Sequence, residues 1–97
     1  MDILAKCHVI VHQVGRIVIP IGTRKFYEID QGEVVEVKVI KYEKDEKPRE
    51  GTFTARVGEH GSIFIPKALR EIMGIKPGDI VEVLLLAHYK AKNSKQE

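Results

Sequence analysis

Residues 11–44 of this 97-residue chain recur, without a gap, as residues 57–90. A shift of 46 residues lays Val11 on Val57, Gly15 on Gly61, Ile17 on Ile63, Ile19 on Ile65, Pro20 on Pro66 and Arg24 on Arg70. It also lays Ile29 on Ile75, Gly32 on Gly78, and Val35-Glu36-Val37 on Val81-Glu82-Val83. The matches fall on glycine, proline and alternating aliphatics, where backbone geometry and burial leave the least choice. An internal repeat therefore dictates one fold unit used twice, and every local reading has to satisfy both halves. A unit of this size is too small to bury a sheet face and a helix alone, so the pair is expected to share one core. The expected organisation is a single domain over 1–97, with a first unit over 1–46 and a second over 47–97.

Within each unit the pattern reads strand, tight turn, short strand, short helix, turn, long strand. In the second unit a strand over 53–57 meets a hairpin-like turn over 58–61, followed by a short β run over 62–65. Pro66 suits a first helical turn, Leu69, Ile72 and Met73 are predicted on one helical face, and Gly74 stops the helix. Lys76-Pro-Gly-Asp79 fits a type II turn, with glycine where φ must be positive. The first unit predicts a weaker helix over 21–27, because Gly22 and Thr23 are poor helix formers. Its strand over 34–43 alternates Val35, Val37 and Val39 against Glu36 and Lys38, as a half-buried strand does. The charged stretch 44–51 is expected to be a solvated connection.

Composition narrows the function only by exclusion. The chain has 16 Lys+Arg against 14 Asp+Glu, a net charge of +2, so any polyanion binding must come from where the charges sit. The 43% hydrophobic content is rich in β-branched residues and includes no Trp, which favours strands. The single Cys7 makes no internal disulfide, which fits the cytoplasmic setting expected for the chain and other compartments as well. The longest apolar stretches, 17–21 and 80–87, are too short to span a bilayer, so no membrane association is expected.

Val14-Gly-Arg-Ile-Val-Ile-Pro-Ile21 followed by Arg24-Lys25, and Gly61-Ser-Ile-Phe-Ile-Pro-Lys67 with Leu69-Arg70 and Gly74-Ile-Lys-Pro-Gly-Asp79, resemble the AbrB/SpoVT-type domain, also found in MazE-like antitoxins. The resemblance covers most of the chain. It implies a mainly β fold with two short helices, a swapped-hairpin β-barrel in which two tandem repeats form a pseudo-dimer. It also implies a transcriptional regulator that binds double-stranded DNA, with Arg16, Arg24 and Lys25 in the first unit and Lys67 and Arg70 in the second as contacts. Arg56 is a further candidate, on the strand before the second hairpin. Arg and Lys held on rigid elements neutralise phosphates, and an Arg fork reads guanine where it reaches a groove edge. Because Ser62 stands opposite Arg16 and Glu71 opposite Lys25, the first unit is expected to carry more of the contact.

Other constellations are absent or bland. The chain has no G-x-S-x-G, P-loop, H-E-x-x-H or dinucleotide fingerprint, so no enzyme and no cofactor are expected. His8, His12, His60 and Cys7 lack a paired-ligand zinc spacing, so no metal is expected and the histidines are read as ordinary surface or edge-strand residues. Glu36 and Glu82 recur as a pair and are read as outward-facing strand residues. The second long strand adds Leu84, Leu86 and His88 to one face while Val81, Val83 and Leu85 fill the other. A strand apolar on both sides predicts self-association through Leu84 and Leu86, as a homodimer. The alternative function is an antitoxin or adaptor that grips a protein partner. The stretch 89–97, polar apart from Tyr89 and Ala91, offers a partner few apolar anchors and counts against it.

Overall fold

The computed structural model describes residues 2–90. β1 (Ala5–Ile10) enters a 3₁₀ turn (Gln13–Gly15), followed by β2 (Arg16–Val18), α1 (Ile21–Tyr27) and β3 (Val34–Lys41). β4 (Arg49–Arg56) enters a second 3₁₀ turn (Glu59–Gly61), followed by β5 (Ser62–Phe64), α2 (Lys67–Met73) and β6 (Ile80–Tyr89). The two series match down to backbone angles. Val14 and His60 sit at φ 51° and 58°, each followed by a positive-φ glycine, Gly15 or Gly61. Pro20 and Pro66, both at φ −55°, precede the helices, and Glu28 and Gly74 end them in the left-handed conformation at φ 55° and 68°. Valine and glutamate carry a Cβ penalty there that glycine escapes, of about 1–2 kcal/mol per residue.

The strands form two sheets. One has four antiparallel strands in the order β1-β6-β3-β4, and the other is a two-stranded ribbon of β2 and β5. Exchanging the two halves leaves this pairing unchanged: β1–β6 becomes β4–β3, while β2–β5 and β3–β6 map onto themselves. The ladders continue past the strand ends in matching fashion. Val11 N–H donates to Asp79 O and receives Gly78 N–H, as Val57 does with Glu33 O and Gly32 N–H. One core lies between the sheets and beneath the helices. It holds Val35, Val37 and Val39 of β3, Val81, Val83 and Leu85 of β6, Phe53, Met73, and the ribbon's Ile17 and Ile63.

Several expectations change. The sheets are not closed into a barrel, because β2 and β5 are only three residues long and the 3₁₀ turns swing the chain out of the β1 and β4 ladders. The connection between halves is shorter than 44–51, since Arg49, Glu50 and Gly51 already pair with Lys41, Ile40 and Val39. Ile72 does not join Leu69 and Met73 in the core and is 75% exposed, because a seven-residue helix over a curved sheet buries a narrow stripe. Leu84 is not a free interface residue. It is only 7% exposed in the single chain, flanked across the sheet by Lys6 and Lys38, whose aliphatic stems suit such cover. A bulge between Glu36 and Val37 pairs Glu36 with Ala87 and Val37 with Leu85, so the alternation changes phase at Leu86. His88 therefore leaves the Leu84 face and reaches Glu33, with Nδ1 3.3 Å from Oε1. The stretch 91–97, which contains Ala91, lies outside the described residues.

Candidate nucleic-acid interface

The β2–β5 ribbon organises the basic residues. Ile17 and Ile63 are register partners and are 1% and 0% exposed. Strand alternation therefore sends Arg16, Val18, Ser62 and Phe64 to the opposite, outer side, with Arg16 facing Phe64 and Val18 facing Ser62. Two further hydrogen bonds extend the ribbon, from Ile19 N–H to Gly61 O and from Ile65 N–H to Gly15 O.

Arg24 and Arg70 lock the ribbon to the helices. Arg24 Nε donates to Ile19 O at 2.8 Å, and its side chain lies against Gly61 of the other half. Arg70 Nε donates to Ile65 O at 3.0 Å and lies against Gly15. Both are half-buried, so part of each guanidinium serves the fold. Lys25 and Lys67 are exposed on the helices, and Arg16 is half-buried on the ribbon. Arg56 is exposed but donates through Nη1 to Gly32 O at 2.7 Å, on the turn before β3. The structure thus brings Arg16, Arg24, Lys25, Lys67 and Arg70 onto the ribbon and the two helices beside it, and sets Arg56 apart on β4.

A shallow groove runs along each helix, lined at positions 46 residues apart. Beside α1, Arg24 and Lys25 are matched by Glu28 and Asp30. Beside α2, Lys67, Arg70 and Lys76 face only Glu71. The first half thus supplies the ribbon's arginine while the second half has the more basic helix groove, so positive charge is not concentrated in the first unit as expected. Lys76 carries no interface signal in the sequence, because a turn residue comes beside the helix only once the turn is folded.

Ion pairs hold both helix C-termini. Lys90 Nζ donates to Glu28 O at 3.2 Å and to Glu33 Oε2 at 3.0 Å. In the other half, Lys41 Nζ donates to Gly74 O and sits 3.1 Å from Asp79 Oδ2 and 3.0 Å from Glu43 Oε2. Burial pushes the Glu33 carboxyl up, but Lys90, the Asp30 N–H and His88 outweigh it and hold it below the ordinary carboxylate range. Asp79 is likewise held low against burial by the Lys76 N–H and Lys41. A depressed folded-state value stabilises the fold above the unfolded value, near pH 4, and that contribution is lost as pH falls through the folded value. The melting temperature should therefore fall as pH drops from about 5 to 3. In Glu33→Gln with Asp79→Asn the dependence should flatten, as read by calorimetry across that window.

On the outer face of the four-stranded sheet, Glu82 is 8% exposed and accepts from Tyr42 Oη at 2.9 Å, with His8 Nε2 at 3.2 Å and Lys6 Nζ at 3.6 Å. The Tyr42 hydroxyl first, then Lys6 and His8, hold its carboxyl below the usual range against some desolvation. Glu36 is half-buried on the neighbouring strand, paired with Ala87 and not with Glu82. Among the described residues, no group of three or more His, Cys, Asp or Glu is placed to hold a metal ion. No helix among them is long and apolar enough to cross a membrane.

The chain is 67% identical to PHS018 from Pyrococcus horikoshii, whose solution structure superposes with a TM-score of 0.88 and matches over 96% of this chain and 100% of that one. The two belong to one family. Within this PHS018 family member, residues 54–86, which run from β4 into β6, match the model described as "Antidote-toxin recognition MazE, bacterial antitoxin", of the AbrB/MazE-like superfamily. No curated protein matches the chain.

Proposed function

We propose that this chain is a DNA-binding transcriptional regulator of AbrB type, built from two tandem units interleaved as a swapped-hairpin pseudo-dimer and acting in the cytoplasm. What carries the reading is the pair of Arg locks. Each arginine crosses to the other half's turn, so the ribbon and both helices form one stiff body that displays Arg16, Lys25 and Lys67. Cations carried on a rigid backbone release counterions on binding phosphate without first losing loop freedom. The exchange-invariant strand pairing and the 46-residue repeat support the pseudo-dimer, and the antitoxin-family match over 54–86 supports the superfamily's functions.

The test is a fluorescence-anisotropy titration of labelled duplex across a salt series. Arg16→Ala with Lys25→Ala and Lys67→Ala should each weaken binding, and each lost phosphate contact should lower the slope of log K against log salt by about 1. Wild-type protein that binds no duplex at low salt would defeat the reading. The second reading is an antitoxin-like adaptor for a protein partner. One observation favours it: Phe26 and Ile72, equivalent in the two halves, are 78% and 75% exposed. For the homodimer, the surface we propose is the groove that Leu84 and the more exposed Leu86 line with Ile3, Glu36, Lys38 and Thr52.

A further inference from the structure

The two halves control for each other at the ribbon. The outer positions of β2 are Arg16 and Val18, and the equivalent positions of β5 are Ser62 and Phe64. Since Ser62 and Val18 occupy their strands in the same fold, neither an arginine nor an aromatic ring is required structurally at these sites. Yet the two departures are not scattered. Antiparallel register makes Arg16 and Phe64 direct cross-strand partners at one end of the ribbon, while Val18 and Ser62 share the other. Phe64 is 51% exposed, although its neighbour Ile63 fills the core. The ring also stands on one of the best-fixed parts of the molecule, the ribbon tied at both ends by the Gly15 and Gly61 turns and the arginines packed on them.

An exposed flat ring on a rigid strand beside an arginine is the pairing that unpaired nucleobases use. The ring stacks on a base face, and the guanidinium neutralises the adjoining phosphate or stacks on the next base. A regular duplex offers edges and phosphates, with its base faces buried in the stack, so it gives Phe64 no face to meet. We infer that the Arg16–Phe64 rung is a subsite for an unpaired base of a single-stranded nucleic acid. The inference rests on the nucleic-acid reading above and deepens it, since it names the strand form this end of the ribbon takes. The subsite is single and polar, because the opposite rung, Val18–Ser62, offers neither a ring nor a charge.

The test uses the full chain with a labelled twelve-nucleotide single strand of mixed sequence, as DNA and as RNA, and the corresponding DNA duplex. Phe64→Val, which copies Val18, should weaken single-strand binding about tenfold, from the loss of one stacked base, and duplex binding less than twofold. The chain has no Trp, so Phe64→Trp installs a single tryptophan at the site, whose emission is excited apart from that of the three tyrosines. Its fluorescence should be quenched by the single strand and left unchanged by the duplex. The tighter of the two single strands identifies DNA or RNA as the source of the base. Equal losses on single strand and duplex, or an unquenched tryptophan, overturn the subsite while leaving the regulator standing. No binding of any probe by the wild-type protein overturns both. Unchanged melting of Phe64→Val, expected because Val18 serves in the other half, keeps a folding defect from passing as a lost stack.

Discussion

Gly61→Ala should cost about 2–3 kcal/mol and lower the melting temperature by on the order of 10–20 °C, given about 4–8 °C per kcal/mol for a domain of this size. Two effects add. Gly61 sits at φ +79°, where a Cβ costs about 1–2 kcal/mol, and that Cβ would stand 2.2 Å from Arg24 Nε and 2.6 Å from its Cδ. Moving Arg24 aside gives up its hydrogen bond to Ile19 O, a net loss of about 0.5–1.5 kcal/mol. Gly15→Ala should behave alike, since its Cβ would meet Arg70 Cδ and Nε at 2.5 Å and Ile65 O at 3.1 Å, at φ +76°. Gly22→Ala is the control. It lies in α1 with nothing within 4 Å and should be neutral or stabilising by up to about 1 kcal/mol. Urea unfolding with unchanged m separates these outcomes; a Gly61→Ala as stable as the wild type would show that Arg24 does not lock the turn.

This lock shows where the sequence was legible. Because residues 11–44 align with residues 57–90, each weak local signal has a counterpart 46 positions away. The extent of α1 emerged in spite of Gly22 and Thr23, and the turn before β6 has the positive φ at Gly78 that its Pro-Gly pair demands. What the linear pattern withheld were the relations between halves. Arg24 and Arg70 read as surface cations because their partners, the backbone carbonyls of Ile19 and Ile65 and the opposite glycine turns, carry no sequence signature. The bulge at Leu86 was equally hidden, since a one-residue change of phase leaves the composition of a strand untouched and yet turns His88 toward Glu33. Glu33 is 2% exposed and would pass for a solvated turn carboxylate in the sequence; Lys90, which accounts for its burial, is 57 residues away. For the candidate interface, residue types were readable and their division of labour was not. Which cation faces solvent and which braces a turn depends on the β2–β5 pairing and on the turns that Arg24 and Arg70 pack against.

The same relation between halves makes a sharper demand on the core. Ile63→Ala removes a side chain with no exposed surface from a three-residue strand whose neighbours are pinned at both ends, so the site has little freedom to collapse around the void. The expected loss is about 3–4 kcal/mol, inside the usual range of about 2–5 for Ile→Ala in a core, and a large share of the 5–15 kcal/mol that holds a typical domain. Ile17 is its register partner and is 1% exposed. If the halves are energetically equivalent as well as alike in pairing, Ile17→Ala should cost the same within about 0.5 kcal/mol. The double variant should fall short of the sum, because each truncation opens onto the same void. Denaturant unfolding of the three variants reads all of this directly. Equal single losses with a non-additive pair mean that the ribbon is one packing unit shared by both halves, and Arg16 and Phe64 inherit their fixed positions from it. A loss confined to Ile63 would mean that the second half carries the ribbon and that the two halves differ in energetics while sharing their pairing.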